Sequence, residues 1–299
     1  MFQGMIVAMV TPFRHGEVDF EATARLVDHL IEGGAEGLVI SGSTGEAATT
    51  SVEERRRLWA FAKERVRGRV PLIAGTGTNA TTDSVALTRM AEELGLDGAM
   101  VVTPYYNKPT PRGQVAHFTA VARATRLPLI LYNVPGRTGT NTTADVLAQC
   151  QHLPNVVAVK EASGSLDQAS AVRARTTLTL LSGDDSLTLP MIAVGAVGVI
   201  SVAGNVAPAA MRALCDHARA GRMADAEAVH RRLGPLFRAL FVESNPGPVK
   251  ALLARMGLIE NELRLPLVPV EPPTLAALEA AAAAAGIALP AAAGGAARA

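Results

Sequence analysis

A lysine closes the run Val156-Val157-Ala158-Val159-Lys160. Small and β-branched residues feed straight into it. Lys160 must therefore reach water or sit charged in an apolar place, which costs several kcal/mol. Burial also opens a third outcome. The ammonium is disfavoured there, its pKa falls, and the neutral amine becomes a nucleophile towards carbonyl carbon. Other reactive groups recur at comparable places. Ser41-Gly42-Ser43-Thr44-Gly45-Glu46 sets two hydroxyls between glycines. It can gather N–H and O–H groups on a small anion, or it can serve as an ordinary turn with a helix cap. Tyr105 and Tyr106 share a proline-stiffened loop, and Tyr132 is the third tyrosine of a chain that has three. Arg137 follows in Gly136-Arg137-Thr138-Gly139, and its fork suits a carboxylate. Asp184 and Asp185 could ligate a metal or cap a helix. The six histidines are scattered, so no zinc or other metal site is expected.

The elements that must position these groups alternate. Eight short apolar runs are candidate strands: Met5–Val10, Gly37–Ile40, Val70–Ala74, Gly98–Val102, Pro128–Tyr132, Val156–Lys160, Thr179–Ser182 and Val197–Val202. Between them, apolar residues fall at helical spacing, as in Phe20-Ala24-Val27-Ile31. Eight strand–helix units predict parallel strands with right-handed crossovers, and the fold class is a (β/α)8 TIM barrel. A doubly wound sheet is the rival. Its glycine fingerprint is missing, since Gly75-Thr76-Gly77 lacks the third glycine. We expect the barrel to occupy residues 1–225, a C-terminal helical domain 226–289, and an Ala/Gly/Pro/Arg tail 290–299 without functional weight. In a barrel, chemistry belongs to the C-terminal ends of the strands and the loops after them. The reactive groups stand at those ends. Together they suggest Schiff-base chemistry on a keto acid: the hydroxyl loop holds the carboxylate, the lysine attacks the ketone, and tyrosine moves protons.

Bulk composition excludes several classes. A net charge of +1 with interspersed acids and bases leaves no footprint for nucleic acid or an anionic membrane. The longest apolar run, Met191 to Gly204, is too short and glycine-rich to span a bilayer. The start of the chain does not read as a signal peptide. Two cysteines, Cys150 and Cys215, cannot build a disulfide framework. A soluble cytoplasmic protein without cofactor is expected.

In this order, the fragments resemble the dihydrodipicolinate synthase / N-acetylneuraminate lyase family from Gly4 to about Pro269. Gly42-Ser43-Thr44-Gly45-Glu46, Tyr132-Asn133-Val134-Pro135 and Lys160-Glu161 carry the family likeness. Its synthase branch is marked by Pro104-Tyr105-Tyr106-Asn107-Lys108-Pro109 and Gly136-Arg137-Thr138-Gly139. Ser182-Gly183-Asp184-Asp185, Gly198-Val199-Ile200-Ser201-Val202 and Glu243-Ser244-Asn245-Pro246-Gly247-Pro248-Val249-Lys250 add to it. The resemblance implies condensation of pyruvate with L-aspartate 4-semialdehyde in lysine and diaminopimelate synthesis. It implies that Lys160 forms the Schiff base, with Tyr132 beside it as proton donor and acceptor. Thr44 would relay protons between Tyr132 and Tyr106, the latter lent across a subunit interface of a homotetramer, a dimer of dimers. Ser43 and Thr44 would hold the pyruvate carboxylate, Arg137 the carboxylate of the aldehyde, and Gly183 and Ile200 would make main-chain contacts near the lysine. Regulated members bind lysine at positions matching Ala47, Ala48, Val52, Arg55, Asn79, Asp83 and Tyr105. With Val52 and Arg55 in place of hydrogen-bonding histidines, weak or absent inhibition is expected. Two other readings are a sibling aldolase on a sugar-derived 2-keto acid and a catalytically silent keto-acid-binding barrel. Arg137 argues against the first, and the set Thr44, Tyr106, Tyr132 and Lys160 against the second.

Overall fold

The structure, a computed structural model, describes residues 2–290. Eight strands form a closed barrel: β1 (Gly4–Ala8), β2 (Gly37–Ile40), β3 (Leu72–Gly75), β4 (Gly98–Val102), β5 (Leu129–Asn133), β6 (Val156–Glu161), β7 (Thr179–Ser182) and β8 (Gly198–Ser201). Every neighbouring pair is parallel, and β8 closes on β1 with Ile6 opposite Ile200. A main helix follows each strand: α1 (Phe20–Glu32), α2 (Val52–Val66), α3 (Thr81–Glu93), α4 (Pro111–Arg123), α5 (Ala144–Cys150), α6 (Leu166–Arg175), α7 (Thr188–Ala193) and α8 (Pro208–Arg219), with one further helical turn, Pro135–Thr138, ahead of α5. The expected strands all form, with ends displaced by at most two residues. The first stops at Ala8 rather than Val10, because Val10 N–H leaves the ladder for Asn205 Oδ1 at 3.3 Å.

Side chains alternate across each strand, which separates two apolar layers. Ile6, Val39, Ile73, Met100, Ile130, Ala158, Leu181 and Ile200 fill the barrel interior. Leu38, Leu72, Val101, Leu131 and Val159 pack outward under the helices. The same alternation decides the site. Lys160 shares the inward face with Ala158, and Tyr132 shares it with Ile130, whereas Glu161 faces out like Val159.

Two features depart from expectation. Phe13–Arg14 pairs antiparallel with Glu17–Val18 across His15 (φ 56°) and Gly16 (φ 81°). Both turn residues are left-handed, as a two-residue hairpin requires. Strands of two residues are too short to leave a periodic signal. The second departure concerns the expected boundary at 225/226, which falls inside a continuous helix, α9 (Met223–Ala239). That helix packs on α8 and on α11 (Pro272–Ala284), and α10 (Gly247–Arg255) lies between them in sequence. Helix Met223–Ala239 therefore carries barrel and extension together. Of the expected 290–299 tail, residues 291–299 lie outside the described residues.

Candidate active site

Strand register sets the central pair. Tyr132 on β5 stands opposite Lys160 on β6. Lys160 is 5% exposed, and its Nζ lies 4.3 Å from the centroid of the Tyr132 ring. Burial pushes the ammonium pKa down from 10.5 to about 8, against the opposing pull of Asp184 and Asp185; Arg137 lowers it further. Burial pushes the Tyr132 phenol upward, so it stays protonated and able to donate. Gly183 follows from packing: a Cβ there would stand 2.5 Å from Ala162 Cβ and 3.1 Å from Lys160 Cε. Any side chain at 183 would push the lysine stem aside. Ile200 is fully buried in the barrel interior.

Behind the lysine, Glu161 is 3% exposed and fully engaged. It accepts from Asn133 Nδ2 (3.2 and 3.0 Å), Gln168 Nε2 (2.8 Å) and Ser163 N–H (2.6 Å). These bonds tie the ends of β5 and β6 to α6, which fixes the backbone that carries Lys160. Asp185 does the same for β8. It accepts from Ser201 Oγ (2.5 Å), Val202 N–H (3.1 Å) and Ala203 N–H (2.8 Å). It thus caps the turn after β8, not the helix that follows it. Among the described residues no group of three or more His, Cys, Asp or Glu is placed to hold a metal ion.

The hydroxyl loop after β2 is held from below. Its alternative reading as a helix cap is overturned: α2 is capped by Ser51 in a capping box with Glu54. Among the described residues the N–H groups of Ser43 and Thr44 make no hydrogen bond, so both remain available to an anion. Gly75 permits the approach of β3, since a Cβ there would stand 2.2 Å from Ser41 O. Ser41 (φ 54°) and Glu46 (φ 51°) are both left-handed, a costly conformation for residues with a Cβ. Glu46 is pinned by a buried ion pair: Lys250 Nζ lies 2.6 Å from Glu46 Oε1 with both side chains fully buried. Lys250 also donates to Thr11 O (2.9 Å) and lies over the Phe13 ring, and Arg264 N–H donates to Glu46 Oε2 (3.1 Å).

A cavity of about 400 Å³ opens above this loop, and its wall includes Ser43, Tyr132, Arg137, Tyr105, Arg55 and Asn245. Lys160, Thr44, Gly183 and Ile200 do not line it; Tyr132 links the cavity to the lysine. Arg137 Nη2 donates to Asn245 O at 3.3 Å. Thr44 Oγ1 accepts from Asn245 Nδ2 at 2.9 Å, and no hydrogen bond joins Thr44 to Tyr132 or Tyr106 among the described residues. Tyr106 is 88% exposed and absent from the cavity, so one chain alone does not assemble the expected relay. Of the positions expected for lysine, Ala47, Ala48, Arg55 and Tyr105 line the same cavity, whereas Val52, Asn79 and Asp83 do not. Arg55 already donates to Thr50 Oγ1 (3.0 Å) and to Ala47 O.

Sequence reasoning gave no individual role to Asn245, Glu46 or Lys250. A lysine inside the apolar run Val249–Leu253 was the available signal for the last, because a fully buried lysine needs a partner.

The fold and the inward amine are those of a carbonyl-attacking, Schiff-base (β/α)8 enzyme. The chain belongs to the dihydrodipicolinate synthetase family, whose profile matches residues 1–285. It is 49% identical to the 4-hydroxy-tetrahydrodipicolinate synthase of Citrifermentans bemidjiense, over 94% of this chain and 97% of that one. Dihydrodipicolinate synthase from Aquifex aeolicus superposes with a TM-score of 0.95 at 43% identity, covering 97% of this chain and 100% of the other. A further solved relative, at 43% identity and TM-score 0.94, covers 96% of this chain and 98% of its own. It is described as a monomeric dihydrodipicolinate synthase variant.

Proposed function

We propose that this chain is a 4-hydroxy-tetrahydrodipicolinate synthase, a lyase condensing pyruvate with L-aspartate 4-semialdehyde for lysine and diaminopimelate biosynthesis. The observation that carries the chemical reading is the inward Lys160 amine, its pKa near 8, against the ring of Tyr132. In this reading the Lys160 nitrogen attacks C2 of pyruvate. The ketone oxygen leaves as water after two proton transfers, and an imine remains. Tyr132 supplies and recovers those protons through Thr44. The free N–H groups of Ser43 and Thr44 hold the pyruvate carboxylate, beside the main chain of Gly183 and Ile200. A C3 proton then leaves, and the resulting enamine carbon bonds to the aldehyde carbon, whose oxygen takes a proton. The amine of the second substrate attacks the imine carbon, closes the ring and releases Lys160. Arg137 orients that substrate by its carboxylate.

We also propose that the working unit is at least a dimer, as in a dimer-of-dimers homotetramer. An 88% exposed Tyr106 in a Tyr-Tyr loop suits insertion into a partner's site. Arg55, Ala48 and Tyr105, with Asn79 and Asp83 at the start of α3, would form a weak lysine site. No described helix is long and apolar enough to cross a membrane, and both cysteines are free, which suits a reducing cytoplasm. The test is borohydride reduction in the presence of pyruvate, followed by peptide mapping. A reduced pyruvyl group should sit on Lys160 and be absent from Lys160→Arg, which stays protonated. Trapping at another lysine overturns the mechanism. Pyruvate consumption across a panel of aldehydes then tests the second substrate.

A further inference from the structure

Asn245 touches both ends of the proposed reaction. It precedes α10, is 5% exposed, and belongs to the cavity wall. Its Nδ2 donates to Thr44 Oγ1 at 2.9 Å, and its main-chain oxygen accepts from Arg137 Nη2 at 3.3 Å. Its Oδ1 has no partner among the described residues, so the bond to Thr44 is the amide's one polar contact with the protein. A hydroxyl has one proton and two lone pairs. With one lone pair filled by the amide nitrogen, which offers only hydrogens, the Thr44 proton must point elsewhere. That is the condition for Thr44 to pass a proton in one direction.

We propose that Asn245 is a positioning residue of the condensation, resting on the reading above. Its amide orients the Thr44 hydroxyl for proton transfer during imine formation at Lys160, and its backbone carbonyl steadies Arg137. Substitution at 245 removes the amide and keeps the carbonyl, so the two contacts separate experimentally.

The experiment is a double-mutant cycle on Thr44→Val and Asn245→Ala, read by two rates. One is the rate of borohydride-trappable imine formation with pyruvate alone. The other is kcat for condensation, with KM for each substrate. Asn245→Ala should slow imine formation by roughly 10- to 100-fold, the scale of a misdirected proton transfer. Both KM values should stay within about threefold, because the Arg137 contact survives. In the Thr44→Val background the same replacement should cost less than about threefold, since Asn245 then has no hydroxyl to orient. Additive losses, unaltered trapping in Asn245→Ala, or an aldehyde KM that rises in step with the loss of kcat would overturn the proposal. If the alanine variant fails to fold, Asn245→Asp keeps the shape, lacks the donor, and enters the same cycle with the same expected loss. Should trapping obey the cycle while L-aspartate 4-semialdehyde is not consumed, the aldehyde assignment falls and the role of Asn245 stands.

Discussion

Replacing Lys160 by methionine should destroy activity and stabilise the fold. In the folded chain the Lys160 ammonium titrates near 8, against an ordinary 10.5. The difference, 10.5 − 8 = 2.5 units, is worth about 3 kcal/mol at 1.36 kcal/mol per unit. That is the cost at pH 7 of carrying an ionisable amine to the barrel interior. The functional return is comparable in size. Near pH 7 about one folded molecule in ten holds the neutral amine, against roughly one in three thousand for an unshifted lysine. Methionine has a similar length, no charge and enough flexibility to fill the site beside Tyr132.

The sign follows from proton binding. Between pH 8 and 10.5 the unfolded chain holds a proton on Lys160 that the folded chain has released. Stability of the wild type therefore rises with pH through that window, and is lowest on this account below pH 8. Lys160→Met should gain up to about 3 kcal/mol in urea unfolding at pH 7. The gain should shrink above pH 8 and vanish near 10.5. A variant no more stable than the wild type at pH 7 would refute the desolvation argument. So would a gain equal at pH 7 and pH 10, since lost charge would then have nothing to do with it.

Four further outcomes follow from the site. Asp184→Asn removes a negative charge that supports the ammonium, so the pH midpoint of imine formation should move below that of the wild type; an upward move would refute the charge assignment. Arg137→Ala should raise the KM for L-aspartate 4-semialdehyde by roughly tenfold or more with little change for pyruvate, and equal changes would remove Arg137 from the aldehyde subsite. Light scattering with activity should show that the smallest active species is a dimer and that Tyr106→Ala loses turnover; a fully active monomer contradicts the lent tyrosine. L-lysine should inhibit weakly in titration, because Val52 cannot hydrogen-bond and Arg55 is already engaged; strong inhibition at micromolar lysine would contradict this.

The barrel was legible because its strands are apolar on both faces and its helices keep a 3.6-residue period. From there the strand-end rule reached Lys160, Tyr132, Arg137 and the Ser43-Thr44 loop with no knowledge of contacts. What escaped depends on long-range pairing. Asn245 is 201 residues from Thr44, and Lys250 is 204 residues from Glu46. Locally, Asn245-Pro246-Gly247 reads as a turn and Glu46 as a loop end. No spacing rule joins them. Tyr106 was legible as a candidate tyrosine, and a single chain leaves it in solvent; the surroundings proposed for it would come from another copy.

The same pairings bear on the expected division of the chain. A barrel ending at 225 would keep Lys160, Tyr132 and the hydroxyl loop. It would lose Lys250 and Arg264, the two residues beyond 225 that hold the Glu46 carboxylate. The left-handed Ser41–Glu46 turn would keep its bonds to Thr11 and Trp59 but lose those made through Glu46, and the Thr44 hydroxyl would lose Asn245. Ser244, Asn245, Pro266 and Leu267 would also vanish from the cavity wall. The C-terminal helices are therefore part of the site, not an appendage to it. The strands deliver Lys160, the proposed nucleophile, to the barrel interior, and the segment around α10 holds the loop proposed to receive the keto acid.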